Sequence, residues 1–537
     1  MSRARLFVPF LLVIFFGQVF FSMKTKSPTC DEFAHHTASG FSHLVTGDFR
    51  MNPAEPPLSR LLSALPLYFL GAKAPLEDVS WKKGDSPAFA QKFFYQPGLS
   101  QDRIIFWARL PILFLGVVFG FFVFVWASEL FGEVGGLAAL ALYSFCPDIL
   151  AHSGLATSDL CVAFFFYMTL WRFWKYLKKP EWKDLVLAGV MAGLAFLSKF
   201  SAILIFPALL LITAFTGSWK KVSFGRVTAF LLVCFLTVWA GYFFEMKPLL
   251  KNTPDPVKKT EIYRHIGGEL LVRFASEVPV PLSTFVSAFG SMMMTRVRGT
   301  NAFLMGEWSH GLKSWWYYYF VAFSIKSTVP FILLILLSLF FLGTIPADAV
   351  AKSVLLFPVA LFFLLTLRDK AQAGIRYFLP VYPLLFVLCG GWVSWAWKQK
   401  KALRTTAILL LSWHAIEAGR IFPDHLTYFN ELAGGPDRGY LYLRDSNIDW
   451  GQGLKGVAEW AKKEGSPEVV LLTISPVDLK AAYGIPWRAM TEREFREAGP
   501  HVYALGVHNF DGVEWAKERK PDVIIGHSMW IYDLRKK

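Results

Sequence analysis

The sequence predicts a polytopic α-helical membrane protein of about eleven transmembrane helices, followed by a small α/β domain at its C-terminal end. Three observations carry that expectation. Of 537 residues, 54% are hydrophobic and only 18% charged, where soluble domains hold about 25% charged residues. Apolar windows of helical length recur from the start of the chain to residue 421. Beyond residue 423 the pattern changes to short strand-like runs separated by one helical segment.

The windows fall at 6–23, 104–126, 135–147, 159–176, 184–198, 200–216, 227–245, 328–343, 353–367, 377–397 and 405–421. Several are shorter than the ~20 residues a simple span needs, so the pairs around Pro147 and Lys199 read as short or broken helices. The first run lacks a small-x-small cleavage site and reads as an uncleaved helix with a cytoplasmic N-terminus. The short loops support that orientation. Arg3 and Arg5, Lys175 to Lys183, Lys220 to Arg226, and Lys398 to Arg404 fall on the cytoplasmic side, whereas the loop 148–158 has no Lys or Arg. The loop 368–376 departs from the rule, because Arg368, Lys370 and Arg376 lie outside. Basic residues placed against the topogenic preference need another use.

Three large extracytoplasmic pieces result. The first, 24–103, contains Leu61–Leu70, an apolar stretch too short to span and expected to lie in the interface. The second, 246–327, ends in the aromatic belt Trp315–Tyr319. The third is residues 423–537, with a helix at 454–463, strands at 468–474, 502–507 and 522–526, and a helix at 514–519. The chain thus divides at residue 422 into a membrane-embedded module and an extracytoplasmic domain. Net charge is +15. In a membrane protein this reflects topology and anionic headgroups, and nucleic acid is not an expected partner. The five cysteines form no disulfide framework and no CxxC metal pattern.

The candidate chemistry sits at the outer ends of the helices. Asp31 and Glu32 follow the first span directly, and acids at a membrane mouth are costly without a use. Either suits a general base, while a helix N-cap is the plainer alternative. Asp159 opens the fourth window on the same side, where Ser158 offers an alternative cap. Arg109, Lys199, Lys326 and Arg376 lie at the same depth. Together they suit a lipid phosphate, although interfacial anchoring explains any single one of them. Glu55 sits in a rigid Pro-Pro turn facing the same compartment. His35, His36 and His43 lie near the acids without the spacing of a strong metal site. A divalent cation is compatible with the site, but no cofactor is required.

These residues in this order resemble the polyprenyl-phosphate-dependent membrane glycosyltransferases of the GT-C fold, which include the protein O-mannosyltransferases and the aminoarabinose transferases of lipid A. The resemblance rests on Asp31-Glu32, the turn Asn52–Leu58, Arg109-Leu110-Pro111, Phe131-Gly132, Asp159, Lys199 and Arg376–Pro383, and it covers most of residues 1–400. The blocks His310–Tyr319, Tyr428–Pro436 and Asp445–Gln452 are similar to a bacterial subgroup of family 39. One departure is Glu55, where relatives often carry His or Lys, so substrate identity does not transfer.

The resemblance implies an enzyme of the bacterial inner membrane that takes a sugar from a polyprenyl monophosphate at the outer leaflet. Lys199, Arg109 and Arg376 would hold the phosphate, with Lys326, Glu55 and His35 as further substrate contacts. Asp31 would deprotonate an acceptor hydroxyl, Glu32 and Asp159 would orient acceptor or loop, and the anomeric configuration would invert. The acceptor is a protein Ser/Thr, a lipid or a glycan. The competing expectation is a transporter or flippase for a lipid-linked substrate. The clustering of acids at the outer surface, rather than at mid-bilayer, argues against it.

Overall fold

A computed structural model describes residues 6–251, 256–311 and 313–535. Arg3 and Arg5 of the topology argument, and Leu312 of the aromatic block, lie outside these residues. The first apolar run forms the helix Phe7–Lys24. The second and third form one long element, Gln101–Ser144, broken at Gly132 with φ 77°. Its two arms fold back on each other. The Tyr143 hydroxyl donates to the carbonyl of Gly116 at 2.7 Å. The remaining windows become Asp159–Lys178, Trp182–Ser198, the 3-10 turn Phe200–Leu204 running into Ile205–Phe215, Phe224–Gly241, Val329–Phe340, Ala349–Thr366, Val381–Trp397 and Lys401–Ile421.

By length and hydropathy alone, four helices qualify as spans: Phe7–Lys24, Gln101–Ser144, Phe224–Gly241 and Ala349–Thr366. A fifth arises if Tyr318–Lys326 and Val329–Phe340, bent by 113°, count together. The others are shorter or carry more charge. Asp159–Lys178 and Val381–Trp397 are buried on almost every side, which makes them the centre of the bundle. Small residues let the helices approach there. A Cβ added to Gly390 would overlap the carbonyl of Gly135 on the long broken helix. The chain is a multi-pass membrane protein.

The first large loop supplies short helices, among them Ala38–Thr46 and Leu58–Phe69. The latter is the expected interfacial element. It buries Ser59, Arg60, Ser63, Ala64 and Leu67 and exposes Leu65, Tyr68 and Phe69. After Ile421 the chain builds a five-stranded sheet. Its strands are Val469–Leu472, Trp487–Ala489, Val502–Gly506, Val523–Ile525 and Met529–Asp533, in the spatial order second, first, third, fifth, fourth. The first strand pairs parallel with the second and third, and the fifth runs antiparallel between the third and fourth. The helix Leu454–Lys463 covers the sheet with Leu454, Val457, Ala458 and Ala461. Two strands escape the sequence pattern. Trp487–Ala489 is a three-residue edge, and Met529–Asp533 alternates too little to stand out. The sheet unit caps the end of the bundle where the candidate residues gather: Lys26 pairs with Asp424, and Lys455 with Asp102.

Candidate active site

The first helix ends at Lys24, and the chain then runs beside residues 450–452. Ser27 N–H donates to Gln452 O at 3.1 Å and Cys30 N–H to Trp450 O at 2.9 Å. A π-helical turn, Glu32–Thr37, follows. Asp31 stands at its N-cap position but makes no capping bond, so its carboxylate is available for another partner. That partner is Arg376, whose Nη1 donates to Asp31 Oδ2 at 3.0 Å. Arg376 stands on the 3-10 turn Ile375–Phe378, with Nε on Ala373 O at 3.1 Å and its guanidinium 4.3 Å from the Trp450 ring centre. Both side chains keep some exposure, 24% for Asp31 and 15% for Arg376, so a ligand can reach them. Burial opposes ionisation of Asp31, but Arg376, His36 and His35 outweigh it and hold the carboxyl below its ordinary value.

A second ion pair lies alongside. Asp159 opens the helix Asp159–Lys178, and Lys199 ends Trp182–Ser198; Lys199 Nζ is 2.5 Å from Asp159 Oδ1. Ser158 makes no side-chain cap, so the capping alternative does not describe this helix. Tyr377 joins the two pairs. Lys199 Nζ lies 4.1 Å and the Arg376 guanidinium 5.9 Å from its ring centre. The charge on Arg376 is disfavoured by burial and favoured by Asp31 and Asp159, and the carboxylates prevail.

The same Tyr377 forms part of the wall of an apolar cavity of about 520 Å³, lined by Phe200, Leu204, Met292, Phe362 and Leu365. Arg296, Arg368 and Lys370 also line it. The basic residues at 368–376 that violate the topogenic pattern therefore face this cavity or the Asp31 pair.

Three of the expected site residues, Arg109 and Lys326 as substrate contacts and Glu32 as an orienting acid, are redefined by the geometry. Arg109 is fully buried and directs Nε and Nη2 to Glu32 at 2.8 and 2.7 Å. Its other bonds go to the carbonyls of Met23, Lys26 and Ser27. These partners use all five guanidinium hydrogens, so none remains for a phosphate. Glu32 is likewise fully engaged. It accepts from Thr29 N–H, Thr29 Oγ1 and Ala156 N–H besides Arg109, so of the two expected roles it orients the loop before Asp159 and not an acceptor. Lys326 is enclosed. It donates to the carbonyls of Leu426 and Asn447 at 2.9 and 2.8 Å and lies 4.0 Å from Asp148. Sequence position alone does not separate an enclosed, carbonyl-bound lysine from an interfacial or ligand-binding one.

The remaining expected residues sit at the rim. Glu55 is half exposed and 3.5 Å from His36 Nε2. His35 is half-buried and contributes to the field at Asp31. His43 bonds instead to Met51 O at 2.8 Å, so the three histidines do not converge on one point. Among the described residues, no group of three or more His, Cys, Asp or Glu is arranged to hold a metal ion.

Sequence reasoning missed several residues. Arg60 is buried and shapes the Asn52–Leu58 turn by donating to the carbonyls of Asn52, Glu55 and Pro56. Asp148 accepts from Tyr382 at 2.9 Å inside the bundle. Asp445, Asn447 and Trp450 reach the Asp31–Arg376 pair from the other end of the chain. The block Asp445–Gln452 was visible as a motif, but nothing in it revealed its neighbours.

Residues 93–240 match the family model described as dolichyl-phosphate-mannose-protein mannosyltransferase. No curated protein matches in sequence. Among solved structures, ArnT from Cupriavidus metallidurans bound to undecaprenyl phosphate superposes with a TM-score of 0.52 at 11% identity, covering 98% of this chain and 97% of that one. The archaeal oligosaccharyltransferase AglB from Archaeoglobus fulgidus, in complex with an inhibitory peptide and a dolichol-phosphate, is more distant. Its TM-score is 0.45 at 14% identity, over 78% of this chain and 56% of that one. The family match over residues 93–240 and the fold shared with ArnT along the whole chain make the protein similar to the membrane glycosyltransferases of the GT-C fold, the protein mannosyltransferases and ArnT among them.

Proposed function

We propose that the protein transfers a monosaccharide from a polyprenyl-phosphate donor to an acceptor hydroxyl at the extracytoplasmic face of the bacterial inner membrane, with Asp31 as general base. One observation carries the reading. An apolar cavity large enough for part of a lipid chain meets, at Tyr377, a row of two cations and the Asp31 carboxylate. The prenyl chain lies in the cavity, and the phosphate lies between Lys199 and Arg376. Asp159 holds Lys199 in place. One Asp31 oxygen stays with Arg376 while the other accepts the acceptor proton. The hydroxyl oxygen attacks the anomeric carbon from the face opposite the phosphate, the bond from that carbon to the phosphate oxygen breaks, and its electron pair leaves with the polyprenyl phosphate. Configuration inverts. Lys199 and Arg376 stabilise the charge that develops on the leaving phosphate, which is the larger electrostatic demand of the step. Arg109 and Lys326 support the site from beneath and do not touch substrate. No cofactor is assigned, and the sheet unit 423–537 is taken as the extracytoplasmic domain.

The test uses the purified full-length protein with polyprenyl-phosphate sugars and hydroxyl acceptors. Sugar transfer or donor hydrolysis that disappears in Asp31→Asn supports the enzyme. Transport of the lipid across vesicles that survives Asp31→Asn, with no transfer in the unmodified protein, overturns it in favour of a flippase. Activity that vanishes with chelator and returns with magnesium or manganese adds a divalent cation to the site.

A further inference from the structure

Residues 444–452 form a strap that touches both halves of the Asp31–Arg376 pair. On one side, Trp450 O and Gln452 O accept from Cys30 and Ser27 N–H, and Ser27 Oγ donates to Gly451 O at 2.9 Å. On the other side, Ser446 Oγ donates to Ala373 O at 3.1 Å, and Asn447 Oδ1 accepts from Ile375 N–H at 2.9 Å. Ile375 is the residue immediately before Arg376. Gly374 stands in the left-handed region at φ +89°, immediately before the 3-10 turn Ile375–Phe378. A Cβ at Gly374 would come within 2.9 Å of Asn447 Oδ1 and Ser446 Oγ, so glycine permits the strap's close approach.

We propose that Asn447 is a positioning residue for Arg376: its side-chain amide fixes the loop that aims the guanidinium at Asp31, and so ties the C-terminal sheet unit to the transfer step. The inference rests on the assignment of Asp31 and Arg376 to that step. The amide is itself locked. Nδ2 donates to Arg444 O at 2.9 Å and reaches Tyr318 Oη at 3.4 Å, and the Asn447 carbonyl accepts from Lys326 Nζ at 2.8 Å. Both ends of the side-chain amide and the backbone carbonyl are thereby directed. The root of the strap lies in the sheet unit. Arg444 donates to His508 O at 3.1 Å and to Asp511 Oδ1 at 2.7 Å, and Asp445 N–H donates to His508 Nδ1 at 3.2 Å. Asp445 has φ +58°, a conformation that a non-glycine residue keeps only where its surroundings overdetermine it. The path runs from the end of strand Val502–Gly506 through His508, Arg444 and Asn447 to Ile375 and Arg376. It also gives the enclosed Lys326 a purpose, since its ammonium pins the strap.

The test is a double-substitution cycle in the full-length protein with a polyprenyl-phosphate sugar donor. Asn447→Ala is expected to lower kcat by roughly 10- to 100-fold with little change in donor KM, as small misplacements of a catalytic group do. In an Arg376→Lys background the same substitution is expected to cost less than about threefold, because the group it positions is already altered. Equal fold-losses in both backgrounds overturn the proposal, as does a loss confined to KM. If Asn447→Ala does not fold in thermal melts, Asn447→Ser, which also removes the Oδ1 acceptor, replaces it in the cycle with the same expected non-additivity. Asp31→Asn runs alongside. Its retention of transfer overturns the reading on which the inference stands, whereas its inactivity together with an additive cycle overturns the inference alone.

Discussion

Glu32 and Arg109 are expected to decide folding, not substrate binding, and substitution of either separates the two. Both side chains have no exposure at all. Between them run two charge-assisted bonds of 2.8 and 2.7 Å. Three further bonds from Arg109 to carbonyls tie the end of the first helix to the long broken helix, and Ala156 N–H on Glu32 adds the loop before Asp159. Arg109→Met removes the cation and leaves Glu32 buried and uncompensated, a loss of about 3–5 kcal/mol. Glu32→Gln keeps one acceptor oxygen but strands the guanidinium, at a similar cost. The pair changed together is expected to lose about 2 kcal/mol or more less than the sum of the singles, since neither charge is then left alone. Thermal melts in detergent read the stability, and titration with a polyprenyl phosphate reads ligand affinity on the fraction that stays folded. The singles are expected to melt far lower while the folded fraction binds lipid phosphate as the unmodified protein does. An Arg109→Met protein that melts normally but binds lipid phosphate tenfold more weakly would refute this reasoning and return Arg109 to the phosphate site.

Other outcomes follow from the same geometry. Asp31→Asn is expected to lower kcat by about 10²- to 10⁴-fold while leaving affinity for polyprenyl phosphate intact, measured by single-turnover transfer and by binding. Because Arg376 holds the Asp31 carboxyl below its ordinary value, the base is already ionised at neutral pH, and the acid limb of kcat/KM falls below about pH 4. Arg376→Gln removes the largest of the charges that oppose burial and moves that limb upward, which a pH–rate profile detects. Lys199→Met together with Asp159→Asn, which avoids a stranded carboxylate, is expected to weaken lipid phosphate binding by about 1.5–3 kcal/mol by titration. Asp449 is buried within the strap, and burial pushes its carboxyl up to about 6 from 3.8. The associated stability is present below about pH 4 and is lost as pH rises through about 6, a swing of up to about 3 kcal/mol. Asp449→Asn is expected to flatten the melting temperature across that window.

Much of this protein was legible in its sequence, because lipid imposes a simple rule. Each apolar window had to become a helix to satisfy its own backbone, and every window did so. Asp31, Asp159, Lys199 and Arg376 could be grouped because a fixed topology puts alternate helix ends on one face. Pairing was another matter. Periodicity cannot say whether a cation at the end of a helix meets a ligand or a buried carboxylate. Arg109 and Arg376 looked alike in sequence, yet one has all five donors occupied and the other retains exposure beside Asp31. The strap 444–452 was equally hidden, since it meets the Arg376 loop from some seventy residues downstream through the side chains of Ser446, Asn447 and Trp450. The sequence by itself determined which segments enter the membrane and which charges gather at its surface, through hydrophobicity and the cost of unsatisfied backbone. Only the tertiary structure decided which charges are spent on each other and which face the cavity, because hydrogen-bond geometry depends on angles and ångströms that one-dimensional spacing does not carry.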